Sequence, residues 1–165
     1  MTLRIIRLLL VAGVALLYTL VVFNNLTDYG SNYEFVRHVM MMDTTFPGNR
    51  GMWRAIQSPF LHTAFYVSII AWETVTTLLC GWGAVCMARA LHGTPAEFHK
   101  SKQVAITGLA LGLLQWLVAF LAFGAEWFLM WQSKEWNGQE AALRMFTVLG
   151  IVLLLVAQSE TENQP

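Results

Sequence analysis

Glu73 is the residue whose place in the chain most demands a chemical role. It lies about 13 residues inside the second of four apolar stretches, or roughly 20 Å down a helix that begins near Phe60. An ionised carboxylate at that depth must be paired, hydrated or protonated, so it is a functional candidate by default. His62, Tyr66, Ile69 and Glu73 recur at helical spacing, which puts the polar members on one face leading toward the helix start. Such a line can relay protons, and it can equally be a buried hydrogen-bonded seam. Gln115, counted along the third apolar stretch, comes to a similar depth. An interhelical hydrogen bond between its carboxamide and Glu73 is the favoured reading, ahead of a proton or ligand site.

A second polar pair is expected where Glu126, near the end of the third stretch, meets Arg144, near the start of the fourth, across a short hairpin. The alternatives are that Arg144 snorkels to the headgroups while Glu126 meets water, or that Arg54 takes Glu126 instead. Gly108 and Gly112 form a GxxxG pattern, and Ala84 and Ala88 a small-xxx-small pattern, in the third and second stretches. Their depths match, so close packing of those two helices is favoured over a dimer interface. Cys80 and Cys86, six positions apart, fall on different helical faces and read as apolar fillers. Haem would need two histidines at one depth on facing helices or an axial histidine in a pocket, but His38 falls in the outer loop, His62 near an outer helix end, and His92 and His99 near the inner surface, so no intramembrane pair is expected. No CxxC, HExxH, GxSxG or P-loop string occurs. No catalytic residue, metal or cofactor is therefore expected.

The elements that position these residues follow from composition. Of the 165 residues 56% are hydrophobic and 12% charged, too few charges to clothe a soluble surface. Ten basic residues balance ten acidic ones, which leaves no basic field for nucleic acid. A hydrocarbon core of roughly 30 Å takes about 20 apolar residues per helix. Residues 5–23, 60–91, 104–131 and 141–157 meet or approach that length, predicting an all-α, polytopic four-helix membrane bundle in a single domain over 1–165. Arg4 and Arg7 before the first stretch resemble a secretory signal, but Phe23-Asn24-Asn25-Leu26 holds no cleavage site, so an uncleaved anchor is expected. Basic residues divide evenly between the two sides. Arg4 and Arg7 break the tie, since the first helix usually dominates, and both ends of the chain are expected in the cytoplasm.

Residues 24–58 then form a long extracytoplasmic loop and residues 92–103 a cytoplasmic one. Ser31-Asn32-Tyr33-Glu34 fits a capping box for a short helix to about Met42, residues 44–49 read as a turn, and a second short helix over about 50–57 brings Trp53 and Ile56 to the interface. Ser58-Pro59, Thr94-Pro95-Ala96-Glu97 and Asn137-Gly138-Gln139-Glu140 are start signals for the later helices, and Gly81-Trp82-Gly83 is the expected place of a bend.

Several strings together resemble a bacterial family of predicted small integral membrane proteins, domain-of-unknown-function family 2165. They are Asn24-Asn25 with Asp28, Phe35-Val36 and His38-Val39 up to Met42-Asp43-Thr44, Trp53-Arg54-Ala55-Ile56, Glu73, and Glu126-Trp127-Phe128 leading to Trp131-Gln132-Ser133 and Trp136-Asn137-Gly138-Gln139. The resemblance implies a bacterial inner-membrane protein of this topology and carries no activity with it. The leading expectation for function is an accessory or scaffold subunit whose outer aromatic face, with Trp53, Arg54, Trp127, Trp131 and Trp136, contacts another membrane protein. A proton-coupled carrier or channel centred on Glu73 is the rival, and a redox-enzyme anchor the third reading.

Overall fold

The computed structural model describes residues 1–160, and all regular structure within them is helical. Helix α1 (Thr2–Thr27) runs without interruption to Asp28, whose N–H donates to the Asn24 carbonyl at 2.8 Å, and α2 (Tyr29–Met41) resumes one residue later. The break at Asp28, rather than a cap at Ser31, therefore starts α2. Met42 ends α2 in a left-handed conformation. A 3-10 turn at Met52–Arg54, followed by extended backbone at Ala55, replaces the expected second loop helix. The amide of Ile56 donates to the Met40 carbonyl at 2.9 Å, which pins the extended segment to α2.

Helix α3 (Pro59–Arg89) continues unbroken through Gly81-Trp82-Gly83, the expected place of a bend. Gly83 instead admits the neighbouring helix: a Cβ there would stand 2.5 Å from the backbone nitrogen of Ala105. Gly108 meets Cys80, and Gly112 meets the Tyr18 hydroxyl, at similarly close range. The packing seam thus takes Gly83, Gly108 and Gly112, whereas Ala84 is only half-buried and Ala88 is exposed. One residue step turns a helix by about 100°, so the small-residue pattern in the second stretch was read one position off the true face.

The third crossing joins α4 (Pro95–Ser101), α5 (Gln103–Gln115) and a π-helical segment (Trp116–Trp127). Thr94 and Glu97 form the expected reciprocal cap. Beyond Gln115 the backbone bonds reach five residues back, as when the Phe128 amide donates to the Phe123 carbonyl at 2.8 Å. The crossing ends at Trp127, short of the expected 131, because the backbone leaves the helix at Phe128 and Leu129. Leu129, at φ 55°, reverses the chain into a 3-10 turn (Met130–Gln132). Helix α6 (Gln139–Ala157) follows after Asn137 accepts the Gln139 amide.

Four helices are long and apolar enough to cross a membrane: α1, α3, the joined α4, α5 and π-helical segment, and α6. Leu9, Leu16, Leu78 and Leu154 are each at least 60% exposed, an outward apolar surface that suits acyl chains and would be costly in water. The chain is an integral membrane protein. Its interior has two cores. One, built around Val11, Tyr18, Cys80, Leu109 and Leu149, joins the four long helices. The other, around Val36, Met40, Ile69, Ala125 and Met130, joins α2 to α3 and the π-helical segment, so the long loop folds onto the bundle as a second tier. Arg4 and Lys102 mark what is called below the basic end, and Trp53 and Trp127 the aromatic end. Residues 161–165, expected at the end of the domain on the side of Arg4, lie outside the described residues.

Candidate functional site

Glu73 sits between the two cores, on the α3 face that also carries His62, Tyr66 and Ile69, all buried. Its carboxylate accepts hydrogen bonds on both oxygens, from Asn25 Nδ2 at 2.6 Å and from Gln115 Nε2 at 3.1 Å. Tyr66 donates through its hydroxyl to the backbone and side-chain oxygens of Asn25 at 3.3 Å. Three elements therefore meet at one acid: the last turn of α1, the middle of α3 and the end of α5. The structure brings Glu73, Gln115 and Tyr66 together. His62 is turned elsewhere, donating from Nε2 to the Ile56 carbonyl at 2.8 Å and thereby holding the loop's extended segment. No hydrogen bond joins His62 to Tyr66 among the described residues, so the line of polar groups is interrupted.

Asn25 is the residue that the sequence reading missed. Standing beside Asn24 and close to Asp28, it reads as a polar end to an apolar stretch. The structure turns it inward, leaving Asn24 exposed and Asn25 buried. The available signal was the helical spacing from Val11, Val14 and Tyr18 to Asn25, which share one buried face.

A cavity of about 220 Å³ opens beside the acid. Asn25, Tyr66 and Glu73 supply its polar wall, and Phe35, Trp116 and Phe120 its aromatic one. Trp116 and Phe120 pack with ring centroids 4.4 Å apart, and the Trp116 indole N–H donates to the Tyr18 hydroxyl at 2.9 Å. At the rim lie Asn32 and Ala141, both exposed, so the opening falls between α2 and the start of α6.

At the aromatic end, Arg54 donates to the carbonyls of Glu126 (3.3 Å) and Trp127 (3.0 Å), the last residues of the π-helical segment. A cation suits that position, where the unpaired carbonyls of a helix end carry negative charge. Its guanidinium also lies 5.6 Å from the Trp53 ring and 5.5 Å from the Trp127 ring. The expected ion pair of Glu126 with Arg144 is absent among the described residues, as is one of Glu126 with Arg54. Both Glu126 and Arg144 are exposed, and the five-residue backbone bonding of the segment that carries Glu126 takes it off the register of an ordinary helix. Trp53 and Trp131 are exposed, the latter packed edge-on to Phe46. Trp136 is half-buried, its ring stacked on His38 at 4.6 Å.

The basic end holds a second acid, Glu160. Lys102, wholly buried, pairs with it at 3.0 Å and also donates to the Gln158 carbonyl. Arg7 pairs with the same carboxylate while its Nε donates to the Leu155 carbonyl, and Arg4 stands 3.5 Å away. Burial raises the Glu160 pKa, but the Lys102 hydrogen bond and charge, with the charges of Arg7 and Arg4, outweigh it and leave the pKa below the ordinary value. Arg4 further donates to the carbonyls of Leu91 and Gly93 beyond the end of α3. Among the described residues no group of three His, Cys, Asp or Glu side chains is placed to hold a metal ion.

A family model described as predicted small integral membrane protein (DUF2165) matches residues 3–159 of the 165. No curated protein and no solved structure matches the chain.

Proposed function

Starting from the chain's membership of DUF2165, a family of predicted small integral membrane proteins to which it belongs over nearly its whole length, we propose that it is a non-enzymatic accessory or scaffold subunit of a membrane complex. In this reading it resides in a bacterial inner membrane, with Arg4, Arg7 and Lys102 at the cytoplasmic end. The observation that carries the proposal is the construction of the aromatic end. Trp53 is 74% exposed, yet the loop that presents it is pinned: Arg54 to the Glu126 and Trp127 carbonyls, Phe46 and Asn49 to Gln132, and Thr44 to Ser133. A preorganised face of Trp and Arg loses little freedom on binding, and those residue types dominate binding hot spots.

Purification in a mild detergent followed by mass analysis tests the reading. The expected result is a co-purifying membrane protein that Trp53→Ala releases without lowering the yield of this chain. A lone protein from wild-type membranes would overturn it. A through-conducting carrier finds less support, because below Glu73 the seam between α3 and α5 closes with Gly83 against Ala105 and Gly108 against Cys80.

A further inference from the structure

We propose that the cavity beside Glu73 is a binding site for an amphiphilic organic cation, an ammonium group carrying apolar substituents. The carboxylate is 2% exposed, and among the described residues the groups bonded to it are the neutral amides of Asn25 and Gln115. Amides orient a carboxylate without cancelling its charge. All ion pairs among the described residues lie elsewhere, gathered at Glu160 or around Glu34, His38 and Asp43. An acid in so apolar a setting either stays neutral or takes a counter-charge, and the adjoining volume of 220 Å³ gives a cation room to sit.

The walls select for the sign of that charge. Asn25 Nδ2 is committed to Glu73, the Tyr66 hydroxyl to Asn25, and the Trp116 N–H to Tyr18. One N–H of the Asn25 carboxamide is left over in the inner wall, against the carboxylate and the aromatic side chains of Tyr66, Trp116 and Phe120. A cation gains from both, since carboxylate and aromatic ring attract positive charge, whereas an anion meets the acid with one inner amide N–H and the Asn32 carboxamide at the rim to offset it. Phe35, Val36 and Ile69 line the rest and suit the apolar substituents.

The probe of choice is benzyltrimethylammonium, compared with its uncharged isostere neopentylbenzene. Binding is measured by equilibrium dialysis against the full chain in phosphatidylcholine nanodiscs. The expected result is saturable binding of the cation, at least about tenfold tighter than that of the isostere. Glu73→Gln keeps a side chain that can engage both amides and loses the cation by a similar factor, with its thermal midpoint followed alongside. Ala141→Trp, at the exposed rim, blocks entry while leaving the acid untouched and also weakens binding. Equal affinity for cation and isostere, or undiminished cation binding by Glu73→Gln, would show an apolar crevice for acyl chains and overturn the proposal, as would absence of saturable cation binding by the wild type. Co-purification of a partner is read separately and stands or falls on its own.

Discussion

Glu73 and Glu160 are both acids withdrawn from solvent, yet one is ringed by neutral amides beside a cavity and the other by Arg4, Arg7 and Lys102. At the basic end the sequence separation between partners exceeds 50 residues, and the cluster ties the start of α1 and the start of α5 to the segment after α6. Its charges are satisfied within the described chain. At Glu73 both carboxylate oxygens accept a hydrogen bond, and no charged side chain among the described residues pairs with them. The first arrangement is that of a clasp, and the second that of a receptacle.

The contrast can be broken most forcefully at the clasp. Glu160→Gln strips the acid from buried Lys102 and from Arg7, and is expected to lower stability by about 3 kcal/mol, the low end for an orphaned buried charge. Denaturant unfolding in detergent measures it. Glu73→Leu should cost about 2 kcal/mol, because the Asn25 and Gln115 amides each lose an acceptor and polar bonds between membrane helices are individually modest. Were that loss to exceed the one at Glu160, the distinction between clasp and receptacle would fail. Acidification acts on the clasp with a definite sign. The folded pKa of Glu160 lies below its unfolded value, so its contribution is present above the ordinary glutamate range and disappears as pH falls through the folded value. Amide protection at residues 155–160, measured relative to the intrinsic exchange rate at each pH, should fall over that interval. Glu73→Gln is the mildest change, expected within about 1 kcal/mol of wild type, because a carboxamide can reorganise its bonds with two others.

The crossings were legible because hydrocarbon thickness imposes a length and apolar runs of that length stand out. The Glu73 to Gln115 bond was legible too, since counting residues along two antiparallel helices gives depth. Asn25 escaped because its partner lies 48 positions away on α3, and polarity at the end of an apolar stretch has a simpler explanation. Arg4 and Arg7 were read as topology signals, and nothing local reveals that Glu160 returns to meet them. The Glu126 to Arg144 pair failed on a subtler point. A shift from four-residue to five-residue backbone bonding changes which way every later side chain points, and no pattern of apolar residues announces it.

That same segment, Trp116–Trp127, has a consequence for how the chain tolerates a missing residue. Excising one amino acid from an ordinary helix rotates everything downstream and scrambles its contacts. Here the slack turn can tighten to the ordinary pitch, absorb the deletion within its own span, and hand the chain on to Leu129 with the reversal and the far hairpin still in place.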